Sequence, residues 1–571
     1  MLIQNGKEKI IRKQMQHFNT MKMKSKDYYG AILLFLILSI SSCRSQNSES
    51  SENITDLQNN IGDASVVVNL LGSEFSDSDG NNPQASTNKL LKNQPSTETF
   101  YTLTSPSTLL AAEVSVENSI PINTSAGISP VAVIVGPPLD LNHKFRLIAY
   151  RDSDGGYAGY KDFTVGTPNT NGGLRLPKNV AYKMVVYSYG TNYLPNITAS
   201  EMTSFNLAIH NYDSMGNSQN GFLYFVQSFT PVEGDNTLPS VILRHKIAQV
   251  TTKINSSALP AGSNNITAVS SAILTGHNRK AEFKFSEPFI KNRSMPENVT
   301  TTFGPQSPST EWISNPVFIN AESSPETNKI ISFTANVTVG GVSKPITVTN
   351  GFRIKPGFLT TYKIKLKEVR CGAILNGTFR EFMCYNLGAT ENGKPFEPAK
   401  EIHGAKYQWG QFPVITQLQD QSASTFYHQA GSGWSFSDFT SIIFQDPCTA
   451  NNSDYRLPTR DEWGNIIISN SKQTVGTWGN DPFNTGIQHA NYGSGLKIGD
   501  FLMLPTAGDR SYNSNNSTTT IRNRGINGGY WSSTYDSNNN TNSHHMVIAT
   551  NGAFVSSTFR SIGMSVRCMK K

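Results

Sequence analysis

The feature that most constrains this chain is a period of two. Across 248–254, Ala248, Val250, Thr252 and Ile254 alternate with Gln249, Thr251 and Lys253, and across 362–367 Tyr362, Ile364 and Leu366 alternate with Lys363, Lys365 and Lys367. Successive side chains of a strand point to opposite faces, so one set enters a core and the lysines stay in water, as in a half-buried antiparallel strand. The runs 145–150 (FRLIAY), 182–189 (YKMVVYSY) and 222–229 (FLYFVQSF) are rich in aromatic and β-branched residues and also read as strands. Clusters of Gly, Pro, Asn and Ser separate them, and no long 3.6-residue period interrupts 98–367. Two β-sandwiches dividing near residue 238, spanning 64–237 and 238–367, are the economical architecture. Apolar cores stop growing near about 250–300 residues, so a chain of 571 requires several domains.

The N-terminus carries a different signal. Lys22, Lys24 and Lys26 precede the apolar run 31–40 (AILLFLILSI), and Ser41-Ser42-Cys43 follows it. A basic segment, a short apolar core and small residues before a cleavage point make an export signal over 1–42. The run is too short to cross a hydrocarbon core, which takes about 20 residues. Its small-small-Cys ending resembles the lipobox of bacterial lipoproteins, which implies acylation of Cys43 and a lipid bilayer as partner. The stretch before Met21 is superfluous to such a signal, and Met21 and Met23 are alternative starts. Residues 43–63 are polar and lack apolar periodicity, as a tether does. A short strand candidate, 65–71, precedes a second polar stretch, 72–97.

The signal segment also disposes of the chain's basic character. The formal charge is +7, but residues 1–42 hold seven Lys or Arg against two Asp or Glu, which leaves the remainder near +2. Nucleic-acid binding therefore has no compositional support.

Residues 368–571 differ in kind. They contain Trp409, Trp434, Trp463, Trp478 and Trp531, five of the six tryptophans, and the cysteines Cys371, Cys384, Cys448 and Cys568. Four cysteines in an exported chain suggest two disulfides, with three pairings open. In 455–463 (YRLPTRDEW), Thr459 and Glu462 form a capping box, Asp461 and Glu462 suit the positive end of a helix, and Trp463, Ile466 and Ile467 recur at helical spacing. This predicts a short amphipathic helix whose acidic residues cap rather than catalyse.

Candidate chemistry is sparse. Adjacent His544 and His545 in a strand point to opposite faces and cannot share a metal. The segment 536–543 (DSNNNTNS) has too few carboxylates for calcium, and 478–481 (WGND) only interrupts a lectin-like calcium pattern. Asp509 and Arg510 are expected to pair with Arg456 or Glu462. No serine-histidine-aspartate arrangement, phosphate-binding glycine loop or metal-spaced cluster is present, so no catalytic, metal-binding or cofactor residue is assigned.

Two resemblances extend this reading. The runs 238–254 (LPSVILRHKIAQVTTKI), 351–367 (GFRIKPGFLTTYKIKLK) and 182–190 (YKMVVYSYG) resemble the fimbrillin-like (Mfa-like) lipoproteins of Bacteroidetes. The resemblance implies two tandem transthyretin-like β-sandwiches in a surface subunit that assembles with other fimbrial subunits by donated strands. In that family a protease removes the first strand after a basic residue, a role open to 65–71 with Lys89 or Lys92. The alternative is that this strand simply completes the sandwich of a monomer.

The series 382–387 (FMCYNL), 407–410 (YQWG), 455–463, 504–510 (LPTAGDR), 529–534 (GYWSST) and 563–568 (GMSVRC) resembles the Fibrobacter succinogenes major paralogous domain. That resemblance implies an α+β C-type-lectin-like fold over 368–571, with Cys448 paired to Cys568 and Cys371 to Cys384. The expected protein is mostly β: a surface lipoprotein of the outer membrane, acting as a fimbrial tip subunit or adhesin with the last domain as binding head. Its expected ligand is a host or bacterial glycan or protein. One alternative is a monomeric glycan-binding lipoprotein using Trp434, Trp478 or Tyr530 as stacking platforms. A remote one is an enzyme of the formylglycine-generating type, which would need a reactive thiol pair.

Overall fold

The computed structural model describes residues 62–75, 97–119, 138–168, 172–214, 220–304, 306–321, 331–390, 394–410, 426–427, 444–479, 492–513 and 518–571. The expected signal segment, Cys43, nearly all of the tether, Lys89, Lys92, Trp434 and Asp481 lie outside these residues. The described fold is mostly β, built from several sheets with few helices.

In chain order the strands are β1 (Ala64–Glu74), β2 (Glu98–Ser105), β3 (Thr108–Ser119), β4 (Lys144–Arg151), β5 (Tyr157–Thr164), β6 (Leu174–Leu176), β7 (Tyr182–Ser188), β8 (Ile209–Asp213), β9 (Leu223–Phe229) and β10 (Gly234–His245). Then come β11 (Ala248–Ala258), β12 (Ile266–Asn278), β13 (Lys280–Lys284), β14 (Glu287–Lys291), β15 (Pro296–Thr300), β16 (Glu311–Ile313), β17 (Val317–Ile319), β18 (Ile331–Val339), β19 (Val342–Phe352) and β20 (Leu359–Arg370).

A seven-stranded sheet runs β5-β4-β7-β9-β10-β1-β6. One of its faces packs Leu147, Met184, Val186, Leu238 and Leu243 together, and the other packs Ile148, Tyr150, Val185 and Tyr187 against Phe283 and Phe285. Burial on both faces explains why β4 and β7 read as unbroken apolar runs rather than alternating ones. The second body sets the sheet β16-β11-β20-β3-β2 against β15-β12-β18-β19. Val250, Ile254, Ile364 and Leu366 meet Phe333, Val337 and Ile346 in its core, while Lys363 and Lys365 are exposed. Here the alternation has its expected outcome for burial, but not for direction: β11 and β20 pair parallel to each other, with β20 antiparallel to β3 and β11 antiparallel to β16 and β17.

The division near residue 238 does not follow the sheets. The run 238–254 is two strands: β10 ends in the seven-stranded sheet and, after a bend at Lys246 and Ile247, β11 begins in the next. The β2–β3 hairpin, 98–119, lies in the second body, with β3 antiparallel to β20 from Thr108–Arg370 to Ser119–Leu359. In the other direction, β13 pairs with β8 and carries Phe283 onto the first body's sheet. Period two specifies which face of a strand is buried but not which strand lies beside it. Both exchanges were therefore invisible in the pattern.

β1 enters between β10 and β6, parallel to the first and antiparallel to the second. Ser65 Oγ accepts the Gly173 amide at 2.9 Å, and a Cβ at Gly173 would collide with the Val66 backbone. Only glycine permits this close approach.

Beyond Arg370, small sheets form from Lys472–Gly476, Ser494–Ile498 and Leu502–Pro505, and from Gly528–Tyr535, Asn542–Ala549 and Gly552–Phe559. The helix Arg460–Ser469 starts with the expected capping box: Thr459 accepts the Glu462 amide at 3.1 Å and the Glu462 carboxylate accepts the Thr459 amide at 2.8 Å. Trp463 and Ile466 are its buried face. Disulfides join Cys371 to Cys384 and Cys448 to Cys568, the pairing the second resemblance implies.

Candidate functional site

The C-terminal region holds the residues on which the sequence placed binding. Tyr530 does not suit a ligand. It is fully buried in a cluster with Met546 and Ile548, and its hydroxyl donates to the Pro505 carbonyl at 2.6 Å. This corrects its assignment as a stacking platform, because neither ring face is open to a sugar. Its neighbour Trp531 points to the other side of the strand, packs with Trp409 and Leu457, and donates from Nε1 to the Tyr407 carbonyl at 2.7 Å. Trp463 donates to Trp531 O at 3.2 Å and Trp409 to Ser532 O at 2.8 Å, so these indoles crosslink the core. Trp478 alone among the described candidates is half-buried, resting on the cluster that contains Trp463 and Leu496.

Charges in this region mostly fasten the backbone. Buried Arg567 donates to Asn386 Oδ1 and to the carbonyls of Met383, Cys384 and Met503, all within 3.1 Å. Burial pulls its guanidinium down to about 10. Lys406 is also fully buried and donates to Ser565 Oγ at 2.8 Å; desolvation drives its ammonium well below the ordinary range. Arg456 grips Glu462 bidentately at 2.8 and 2.6 Å, whereas Asp509 is held by Arg522 at 2.9 and 2.6 Å. The expected pairing of Asp509 with Arg456 is thus corrected: Arg456 closes on Glu462 of the helix that follows it, and Asp509 on Arg522, which faces it from the neighbouring strand Thr518–Arg522.

His545 is buried and its imidazole is lowered by burial to about 4, while His544 lies on the opposite face of Asn542–Ala549. Asp536 is spent on a turn, accepting the Asn538 amide at 3.0 Å. Among the described residues no group of three or more His, Cys, Asp or Glu is placed to hold a metal ion.

Two arrangements escaped the sequence. The first is a junction built on the turn between β2 and β3. Pro106 O accepts the Cys384 amide at 2.8 Å and Ser107 O accepts the Cys371 amide at 2.9 Å. Ser107 Oγ donates to Glu381 at 2.7 Å and accepts from the Tyr455 hydroxyl at 3.0 Å. Leu109 and Ala111 of β3 share a core cluster with Cys371, Cys384 and Met503. Burial raises the Glu381 carboxyl, but hydrogen bonds from Ser107 and Lys570 outweigh it and hold the group below its ordinary value. A hairpin from the N-terminal third thereby fastens the region beyond Arg370 to the second β body.

The second is a buried polar network under the first sheet. Glu201 accepts from Tyr187 at 2.6 Å, from Thr198 at 2.7 and 2.8 Å, and pairs with His210 Nδ1 at 3.0 Å. Arg146 joins Tyr187 at 2.8 Å and grips Asp162 at 2.6 and 2.7 Å. Burial pushes the Glu201 carboxyl up, and the His210 and Tyr187 hydrogen bonds overcome it and bring it to about 2. The pairing has the composition of an acid–base site, yet Glu201 and His210 are sealed from solvent. Its chemistry is fastening: it pins the segment around 198–201 to β7 and β8. Nothing in the spacing of residues 146, 162, 187, 201 and 210 announces it.

No family model and no curated protein matches this chain. Among solved structures it is similar to a candidate cell adhesion protein of Bacteroides fragilis, at 12% identity over 55% of this chain and 94% of that one, with a TM-score of 0.29. A candidate cell adhesion protein of Parabacteroides distasonis matches at 15% identity over 42% and 84%, TM-score 0.27. The fimbrial anchor protein Mfa2 of Porphyromonas gingivalis matches at 13% identity over 43% and 94%, TM-score 0.25. Likeness at this level decides neither fold family nor function.

Proposed function

We propose that this chain is an exported lipoprotein, acylated on Cys43 and displayed at the cell surface as a fimbrial or adhesin-type subunit. Its two β bodies, read as transthyretin-like sandwiches, serve as a stalk, and 368–571, read as C-type-lectin-like, serves as the binding head. The observation that carries the reading is the cysteine arrangement. The cysteine at the end of the export signal stands apart, and all four others are closed in two disulfides within the last domain. Such bonds persist in an oxidising exterior, and they leave that domain no thiol for formylglycine-type chemistry.

The proposed partners are other fimbrial subunits through a donated strand, a glycan or protein on a host or bacterial surface, and the bilayer that holds the acyl chain. A large terminal head blocks growth at that end, which favours a tip position. Immunogold labelling of sheared surface material is the test. Label at filament ends is the expected result; label along whole filaments would overturn the tip position, and label on the envelope without filaments would leave a monomeric glycan-binding lipoprotein.

A further inference from the structure

Strand direction along the chain's main path suggests a second role. A subunit tethered at its N-terminus and engaged through its last domain is pulled from both ends. Tension enters β1 at Ala64, where it pairs with Gly234, and leaves β10 beyond Arg244, the partner of Glu74. The strands are parallel, so the two forces act at opposite ends of the ladder and slide one strand along the other. Interstrand hydrogen bonds lie across the strands, so sliding strains the whole ladder together, whereas pulling from one end opens it bond by bond.

The same geometry recurs two residues later. β11 begins at Ala248 and runs parallel to β20, with Gln249 opposite Leu359 and Ala258 opposite Lys367. Tension enters at the start of β11 and leaves at Arg370, the far end of β20, again as shear. β3 doubles this second ladder: its Ser119 end, which leads back towards the first sheet, pairs with Leu359, and its Thr108 end pairs with Arg370. Side chains close the step between the ladders. Glu74 accepts from Arg244 at 2.7 Å, Phe75 stacks on His245 at 3.8 Å, and His245 stacks on Phe318 of β17 at 5.6 Å.

We propose that the chain is a tension-resisting tether in which β1–β10 and β11–β20 act as two shear-loaded ladders in series. The proposal rests on the surface-anchored reading for the direction of pull. The strand geometry itself is independent of any ligand.

Single-molecule pulling on the full chain tests it, with Cys43→Ser present so that a handle can be attached at a new cysteine. In one geometry the handles are on the N- and C-termini. In the other they are on the N-terminus and at Asp235→Cys, an exposed position beside Ser65 that loads β1 and β10 from the same end. The expected result is that β1 leaves β10 at a severalfold higher force in the end-to-end geometry, with equal melting temperatures for the two proteins. Equal rupture forces, or a lower force end to end, would overturn the proposal. Protease shaving of intact cells separates this from the surface reading: a chain that is shaved yet shows no force difference loses only the tether role.

Discussion

The hydroxyl of Tyr455 donates to Ser107 Oγ at 3.0 Å, joining residues 348 positions apart. Ser107→Ala removes that acceptor and the donor to Glu381 in a buried setting. The expected loss is about 1–3 kcal/mol of unfolding free energy. Urea unfolding measures it, and an unchanged midpoint would show that the turn does not fasten the region beyond Arg370 to the second β body.

Four buried histidines set an acid limit. Burial lowers His245 and His403 to about 3 and His277 and His545 to about 4, from an ordinary 6.5. A depressed folded value means that the unfolded chain binds more protons below 6.5. Their contribution is therefore complete above that pH and is lost as pH falls towards the folded values. Each contributes a slope of up to about 1.4 kcal/mol per pH unit. Glu201, lowered to about 2 from 4.5, adds a second loss that starts only below 4.5. Unfolding midpoints measured from neutral pH downwards should fall before carboxylates titrate, and a flat profile from pH 6.5 to 4.5 would contradict the histidine assignment.

Glu201→Ala leaves His210, Tyr187 and Thr198 without their shared acceptor. Each buried polar group left without its partner costs about 1–3 kcal/mol. The loss should exceed that of Asp162→Ala, whose carboxylate is partly exposed at 42%. Paired denaturation curves decide the order.

The two disulfides should differ in weight. Cys448–Cys568 closes 120 positions and Cys371–Cys384 closes 13. Chain-entropy reasoning gives about 4.7 kcal/mol for a loop near 100 residues and about 3 for one near 15. Replacing each pair by serines and measuring thermal unfolding should show the larger loss at 448 and 568.

Where one residue decided its own environment, the sequence was a good guide. Alternation placed Tyr362, Ile364 and Leu366 inside and Lys363 and Lys365 outside, and the Thr459–Glu462 capping box marked the helix start to the residue. Where the outcome depended on a distant partner, it was silent. Leu110 and Ile364 carry the same apolar signal, and nothing local says that β3 crosses to lie beside β20. Tyr530 looked like an exposed aromatic because a Gly-Tyr-Trp-Ser run does not reveal which neighbouring strands cover it. Glu201 carries no local signal, since Tyr187 and His210, which hold its carboxylate, come from two separate strands.

The central claim is display of the last domain outside the cell on an N-terminal lipid anchor. Its most direct test is protease treatment of intact cells, followed by detection of an epitope at the C-terminus. Loss of that epitope from intact cells, with a periplasmic control protein untouched, is the expected result. An epitope that survives until the outer membrane is broken would place the protein inside the envelope and contradict the account.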